Sequence, residues 1–312
     1  MSAFTSRFYT SHDGLKLHYR DYAGPANPRL TVVCIPGLTR NARDFEDLAP
    51  HLAQTYRVLC PELRGRGLSE YAKDPFTYTP PHYVRDIAAL LDSAGQKQVA
   101  LIGTSLGGIV SMVLAAIMPQ RFLGVVLNDI GPEIDPTGVS RIGSYLGKAK
   151  PAANWDEAAA AIKELDAKVF PEYQGDIWIK MAKRRYVETP DGALRADYDF
   201  NIAKPFTTGA GNADLKPFFR SLRRLPALAI RGGTSDLLKP EAFNRMKYMV
   251  PTLQQVVVPN RGHAPYLDEA PALSAIDAFL AQLPSRLGPL TIMRRSLGSA
   301  VFLAKLKITG VI

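Results

Sequence analysis

The chain of 312 residues is 46% hydrophobic and 21% charged, the balance of a folded globular protein, which excludes wholesale disorder. Its two cysteines, Cys34 and Cys60, are too few for a disulfide framework or a four-thiolate zinc site, and both lie in apolar runs where a thiol acts as a small core side chain. The net charge of +9 is partly local, because residues 285–312 hold Arg286, Arg294, Arg295, Lys305 and Lys307 and no acid, and no nucleic-acid-reading motif accompanies the excess.

Taken in chain order, apolar runs predict strands at 15–22 and 30–35, a helix at 43–54, a strand at 56–60 and a helix at 82–94. Residues 99–118 carry no charge and are long enough to span a bilayer. Gly103, Thr104, Ser105, Gly107, Gly108 and Ser111 interrupt that run, so it divides better into a buried strand at 99–103 and a buried helix at 105–118, stopping before Pro119. A further strand is predicted at 123–128. From 131 to 225 the pattern changes to Ala-rich helical runs, such as 155–169, without clear buried strands, which reads as a helical insertion. Strands at 227–231 and 254–258 and helices at 241–248 and 270–283 then resume the alternation. Strands alternating with helices predict a mostly parallel sheet with helices on both faces, and right-handed crossovers put every strand's C-terminal end on one edge.

One motif on that edge carries chemistry. Gly103-Thr104-Ser105-Leu106-Gly107 fits G-x-S-x-G between a buried strand and a buried helix, the setting of a nucleophile elbow. The tight turn forces the serine into a strained backbone conformation, and side chains two residues before and after it would collide, hence the glycines. A serine needs a base, and the base needs an orienting acid. Of five histidines, His263 alone follows a late strand, in Pro259-Asn260-Arg261-Gly262-His263-Ala264-Pro265. Asp236, after the strand at 227–231, is the expected acid, although a carboxylate there also suits the cap of the next helix. Asp129, after the strand at 123–128, is held in reserve.

The order Ser105, Asp236, His263 resembles that of the α/β-hydrolase superfamily. Ile35-Pro36-Gly37-Leu38-Thr39 is similar to that superfamily's oxyanion loop, with Pro36 in place of the usual His. Glu62-Leu63-Arg64-Gly65-Arg66-Gly67-Leu68-Ser69 resembles its D-x-R-G-x-G-x-S turn, with Glu62 for Asp, a change expected to affect packing only. Gly262-His263-Ala264-Pro265 resembles its histidine turn. The resemblance implies a mostly parallel eight-stranded sheet with a core of residues 1–130 and 226–284, a helical cap at 131–225 and a basic extension at 285–312. It implies an oxyanion hole of the Leu38 and Leu106 amides. Tyr145, Trp155, Phe170 and Trp178 are candidates to line the substrate pocket, or else to form the cap's own small core. Arg40 is a candidate to bind a carboxylate, or else a salt-bridged arginine.

The expected function is a cofactor-free and metal-free serine hydrolase acting on a small-molecule ester or lactone. Hydrolysis of a carbon–carbon bond in a ring-cleavage diketone by the same triad is the alternative, and a non-catalytic small-molecule-binding protein on the same scaffold is a more distant one. No complete dinucleotide, Walker A or H-E-x-x-H pattern occurs, and no nucleic-acid partner is expected. The opening MSAFTSRFYTSHDG lacks the apolar stretch of a secretory signal, so a cytoplasmic location is expected. The basic tail is read as a disordered extension without a role rather than as a membrane-surface element.

Overall fold

The sheet begins at an exposed edge. Strand β1 (Thr5–Thr10), TSRFYT, is exposed at every position but one and pairs antiparallel with β2 (Lys16–Tyr22) across a turn in which Gly14 has a φ of 90°. A strand with two wet faces has no apolar alternation to betray it, which is why the pattern begins only at residue 15. Inward the sequence turns aliphatic. Strands β3 (Thr31–Ile35), β4 (Arg57–Pro61), β5 (Val99–Thr104) and β6 (Phe122–Asn128) are buried almost throughout, as parallel strands covered on both faces must be. Their side chains alternate between two cores: Val33, Ile35 and Leu101 face one layer of helices, and Val32, Cys34 and Ile102 face the other. These features belong to a computed structural model that describes residues 3–208 and 214–308, with side chains through residue 304.

The predicted helix at 43–54 is a 3₁₀ turn at Ala42–Phe45 followed by α1 (Leu48–Leu52). Helix α2 (Pro80–Ser93) buries one face, and α3 (Leu106–Ile117), apolar nearly all round, fills the space against β5 and β6. Between β6 and the next strand of the sheet lie α4 (Pro136–Tyr145), α5 (Trp155–Asp166), α6 (Ile177–Arg185), a two-stranded hairpin of β7 (Tyr186–Glu188) and β8 (Leu194–Ala196), α7 (Ala203–Thr207) and α8 (Lys216–Arg220). The hairpin was not expected: three-residue strands are too short to set up an alternating pattern. The sheet then resumes with β9 (Ala227–Gly232), α9 (Pro240–Met249), β10 (Gln254–Val258) and α10 (Ala270–Gln282).

The eight strands run in the order β1-β2-β4-β3-β5-β6-β9-β10. All pairs from β4 onward are parallel. The fold is therefore an eight-stranded, mostly parallel sheet with helices on both faces. Thr104 pairs with Asn128, Asn128 with Ile230, and Val258 with Gly232, so residues 105, 129, 233 and 259 leave the sheet on one edge.

The tail departs from its expected lack of order. It forms α11 (Pro289–Ile308), packed against α3 and the turn Pro119–Arg121. Lys305 and Lys307 fall among the residues whose side chains are not described. No helix among the described residues is long and apolar enough to cross a membrane; the uncharged run at 99–118 is β5 and α3.

Candidate active site

Ser105 sits between β5 and α3 with a φ of 52° and a ψ of −113°, a region that costs a residue with a side chain roughly 1–3 kcal/mol. The glycines around it are required sterically. A Cβ on Gly103 would lie 2.3 Å from the Gly107 carbonyl oxygen, and one on Gly107 would lie 2.1 Å from that of Ile35. The turn thus closes until only hydrogen fits, and Ser105 Oγ stands clear at the sheet edge.

His263 reaches it from the loop after β10. Its Nε2 lies 2.9 Å from Ser105 Oγ and accepts that hydroxyl's hydrogen, while Nδ1–H, 2.8 Å from Asp129 Oδ2, donates to the carboxylate; the two partners together fix this tautomer. Asp129, at a φ of 53°, is fully buried. Its Oδ1 accepts from the Gly232 amide at 2.8 Å, and Oδ2 also accepts from Ser235 Oγ at 2.6 Å. Asn128 ties the three loops together, donating from Nδ2 to the Pro265 carbonyl and to Thr104 Oγ1.

Asp236, the expected acid, is not the residue on the imidazole. It is bound by Arg141 of α4, whose Nε and Nη2 both donate to its carboxylate. Burial pushes the Asp236 carboxyl up, but Arg141 outweighs that and holds it below its ordinary value. The reserve residue Asp129 takes the position on His263. The loop after β9 supports that acid through Gly232 and Ser235 instead of supplying it.

The loop after β3 lies against the nucleophile: a Cβ on Gly37 would sit 3.8 Å from Ser105 Cβ. Arg66, fully buried, donates from Nε and Nη2 to the Leu38 carbonyl at 2.9 and 2.7 Å, which turns that peptide so that its oxygen points into the protein. The amides of Leu38 and Leu106 make no hydrogen bond to another described residue. Glu62 does more than pack. Buried, it accepts from His18 Nδ1 and from the Leu68 amide. Burial raises the Glu62 carboxyl, yet these bonds hold it below the usual range.

The cavity above Ser105 has a mixed polar and apolar lining. Leu38, Arg40, Arg141, Tyr145, Phe170, Arg185 and Tyr266 line it together with His263. Of the proposed lining residues, Tyr145, Phe170 and Arg40 are there, and Arg40 is both salt-bridged to Asp44 at 2.8 Å and hydrogen-bonded to Tyr266. Trp155 and Trp178 are not. They belong to an apolar cluster inside the insertion with Ala158, Ile162 and Met181, where Trp178 Nε1 donates to the Tyr173 carbonyl. Tryptophan's large apolar surface drew both into a core. Arg141 and Arg185 were missed, since a surface arginine and a pocket arginine look alike in sequence. Arg185 is bound by Asp166 and Tyr266, and its Nε is buried without a hydrogen-bond partner.

A profile of the Alpha/beta hydrolase family matches residues 32–276. The chain is 36% identical over 265 residues to the 3-hydroxybutyrate-oligomer hydrolase of Cupriavidus necator, covering 82% of this chain and 89% of the relative. It is 28% identical over 247 residues to the 2-(acetamidomethylene)succinate hydrolase of Mesorhizobium japonicum, covering 78% and 85%. Among solved structures, an alpha/beta hydrolase from Novosphingobium aromaticivorans superposes with a TM-score of 0.86 at 45% identity, over 91% of this chain and all of that one. The elbow, the strand order and these likenesses agree, and the chain belongs to the alpha/beta hydrolase family.

Proposed function

We propose that this chain is a serine hydrolase that cleaves a carboxylic ester or lactone through an acyl-enzyme, with Ser105, His263 and Asp129 as its triad. The observation that carries the reading is the continuous hydrogen-bonded run from Ser105 Oγ through the imidazole to a fully buried carboxylate. Ser105 Oγ attacks the carbonyl carbon while His263 Nε2 takes its proton, and Asp129 stabilises the imidazolium that results. The carbonyl oxygen becomes an oxyanion held by the Leu38 and Leu106 amides, each worth on the order of 3–4 kcal/mol of barrier. His263 returns the proton to the leaving alcohol, water enters on the same face, and the steps repeat on the acyl-enzyme.

The preferred substrate is a short hydroxyacid ester with a free carboxylate. Arg40, Arg141 and Arg185 line the cavity, Arg40 and Arg185 already paired with Asp44 and Asp166, while Arg141 spends only Nε and Nη2 on Asp236, which leaves Nη1 to pair a carboxylate. The 36% identical relative is named for oligomers of such a hydroxyacid. The insertion acts as the cap that carries Arg141 and Arg185 over Ser105.

The test is a kinetic panel of p-nitrophenyl esters, lactones, hydroxyacid oligoesters and a vinylogous diketone, with fluorophosphonate labelling of Ser105. Ser105→Ala is expected to lose at least about 10⁴-fold in kcat and all labelling. Arg141→Met is expected to raise KM selectively for carboxylated esters. Full activity of Ser105→Ala defeats the mechanism, turnover of the diketone alone moves the assignment to carbon–carbon hydrolysis, and indifference to a substrate carboxylate removes the role given to Arg141.

A further inference from the structure

Helix α11 keeps most of its large apolar side chains on the outside. Its inward positions mix the apolar Ile292 and Phe302, packed against the two cores, with buried polar groups. Arg295 is buried and donates from Nη1 to the Pro119 and Phe122 carbonyls at 3.2 and 2.6 Å, and Ser299 Oγ donates to the Ile117 carbonyl at 2.6 Å. These acceptors lie at and just beyond the C-terminal end of α3, where exposed carbonyls and the helix dipole favour a cation. Phe302 adds an edge contact to Phe218 of α8. The outward positions are apolar: Leu290, Met293, Leu297 and Val301 are 67%, 52%, 62% and 57% exposed. Their spacing of three and four residues lays them in one stripe along the helix. The helix is held by two polar and two apolar residues and still presents a four-residue apolar stripe to whatever lies outside.

We infer that α11 is a docking surface for an anionic lipid bilayer. Four large apolar side chains on one face are the depth-seeking half of an interfacial helix. Charge supplies the other half: residues 285–312 carry no acid, and with Arg295 spent on the dock, Arg286 and Arg294 remain exposed. Arg294 lies within the stripe itself. A second copy of the chain fits less well. One helix face falls short of the roughly 800 Å² per partner that a stable dimer buries, and pairing two such helices would set two acid-free basic segments together. The helix sits at the start of β6, at the opposite sheet edge from Ser105, about 20 Å away by the length of a strand. A bilayer on α11 therefore leaves the pocket facing water, and the enzyme acts on soluble substrate while held at a surface.

The test is co-sedimentation of the full chain with phosphatidylcholine vesicles and with vesicles containing phosphatidylglycerol, at low and high ionic strength. Binding is expected only to the anionic vesicles, weakened by salt. Leu297→Glu and Val301→Glu are each expected to lower partitioning about tenfold or more, and Arg294→Glu by about fivefold or more. All three should hydrolyse a soluble p-nitrophenyl ester within twofold of the parent and melt at the same temperature. The inference is overturned if the parent does not bind anionic vesicles, if Leu297→Glu binds as the parent does, or if light scattering finds a dimer that Leu297→Glu dissociates.

Discussion

Asp129 holds the place on the imidazole where Asp236 was expected, and Asp236 pairs with Arg141 instead. Asp129 is buried, accepts three hydrogen bonds and faces the imidazole, while Asp236 is partly exposed and engaged by Arg141. Asp129→Asn is therefore expected to lower kcat for a soluble ester by about 10⁴, through the wrong histidine tautomer. Asp236→Asn is expected to stay within tenfold of the parent; the reverse ranking in steady-state kinetics would return Asp236 to the triad. The elbow glycine gives a second prediction. A methyl on Gly107 meets backbone of β3 rather than a yielding side chain, so Gly107→Ala should cost at least about 1–3 kcal/mol in urea unfolding. Ser105 and His263 were legible because steric necessity and strand order are local properties of a sequence. The acid was not. β6 and β9 are neighbours in the sheet, and both end within reach of the histidine loop, so two aspartates satisfied the same order and only tertiary hydrogen bonding separates them.

Elements carry the site through few attachments. Arg66, in the turn after β4, holds the Leu38 carbonyl with two bonds. Arg66→Ala should free the loop after β3 and lower kcat by about tenfold or more with little change in KM, as expected for a loss felt in the transition state; an unchanged kcat would mean that the loop needs no such anchor. Helix α4 is tied to the loop after β9 by the Arg141–Asp236 pair. Because Arg141 depresses the Asp236 carboxyl, the pair stabilises the fold above the ordinary carboxylate range, and that contribution is lost as pH falls through the depressed value. Asp236→Asn should thus be less stable than the parent at pH 7, with the gap closing below about pH 4 in urea melts taken along the pH scale. The insertion's helical character was legible from its composition, but its hairpin was not. Nor was the order of α11, whose inward face mixes Ile292 and Phe302 with the buried Arg295 and Ser299 and whose larger apolar stripe faces out, so no amphipathic pattern marks its docked side.

Across the whole molecule, a fully buried cation is among those that join the antiparallel edge to the parallel body. Arg64 is fully buried and donates to Asp13, in the turn between β1 and β2, and to Asp86 of α2. Removing it as Arg64→Ala leaves Asp86 buried without its counter-charge, an expected loss of about 3–5 kcal/mol measured by chemical denaturation. The siting of Asp129, the acid of the proposed triad, at the end of β6 has a reach beyond chemistry. A loop relieved of proton handling is open to variation, and the segment after β9 keeps only Gly232 and Ser235 under obligation to Asp129. Asp236 and its neighbours are then raw material for evolution: exchanging them retunes which molecules Arg141 admits while leaving the reacting groups untouched, so a library confined to those positions should yield altered preference far more often than dead protein.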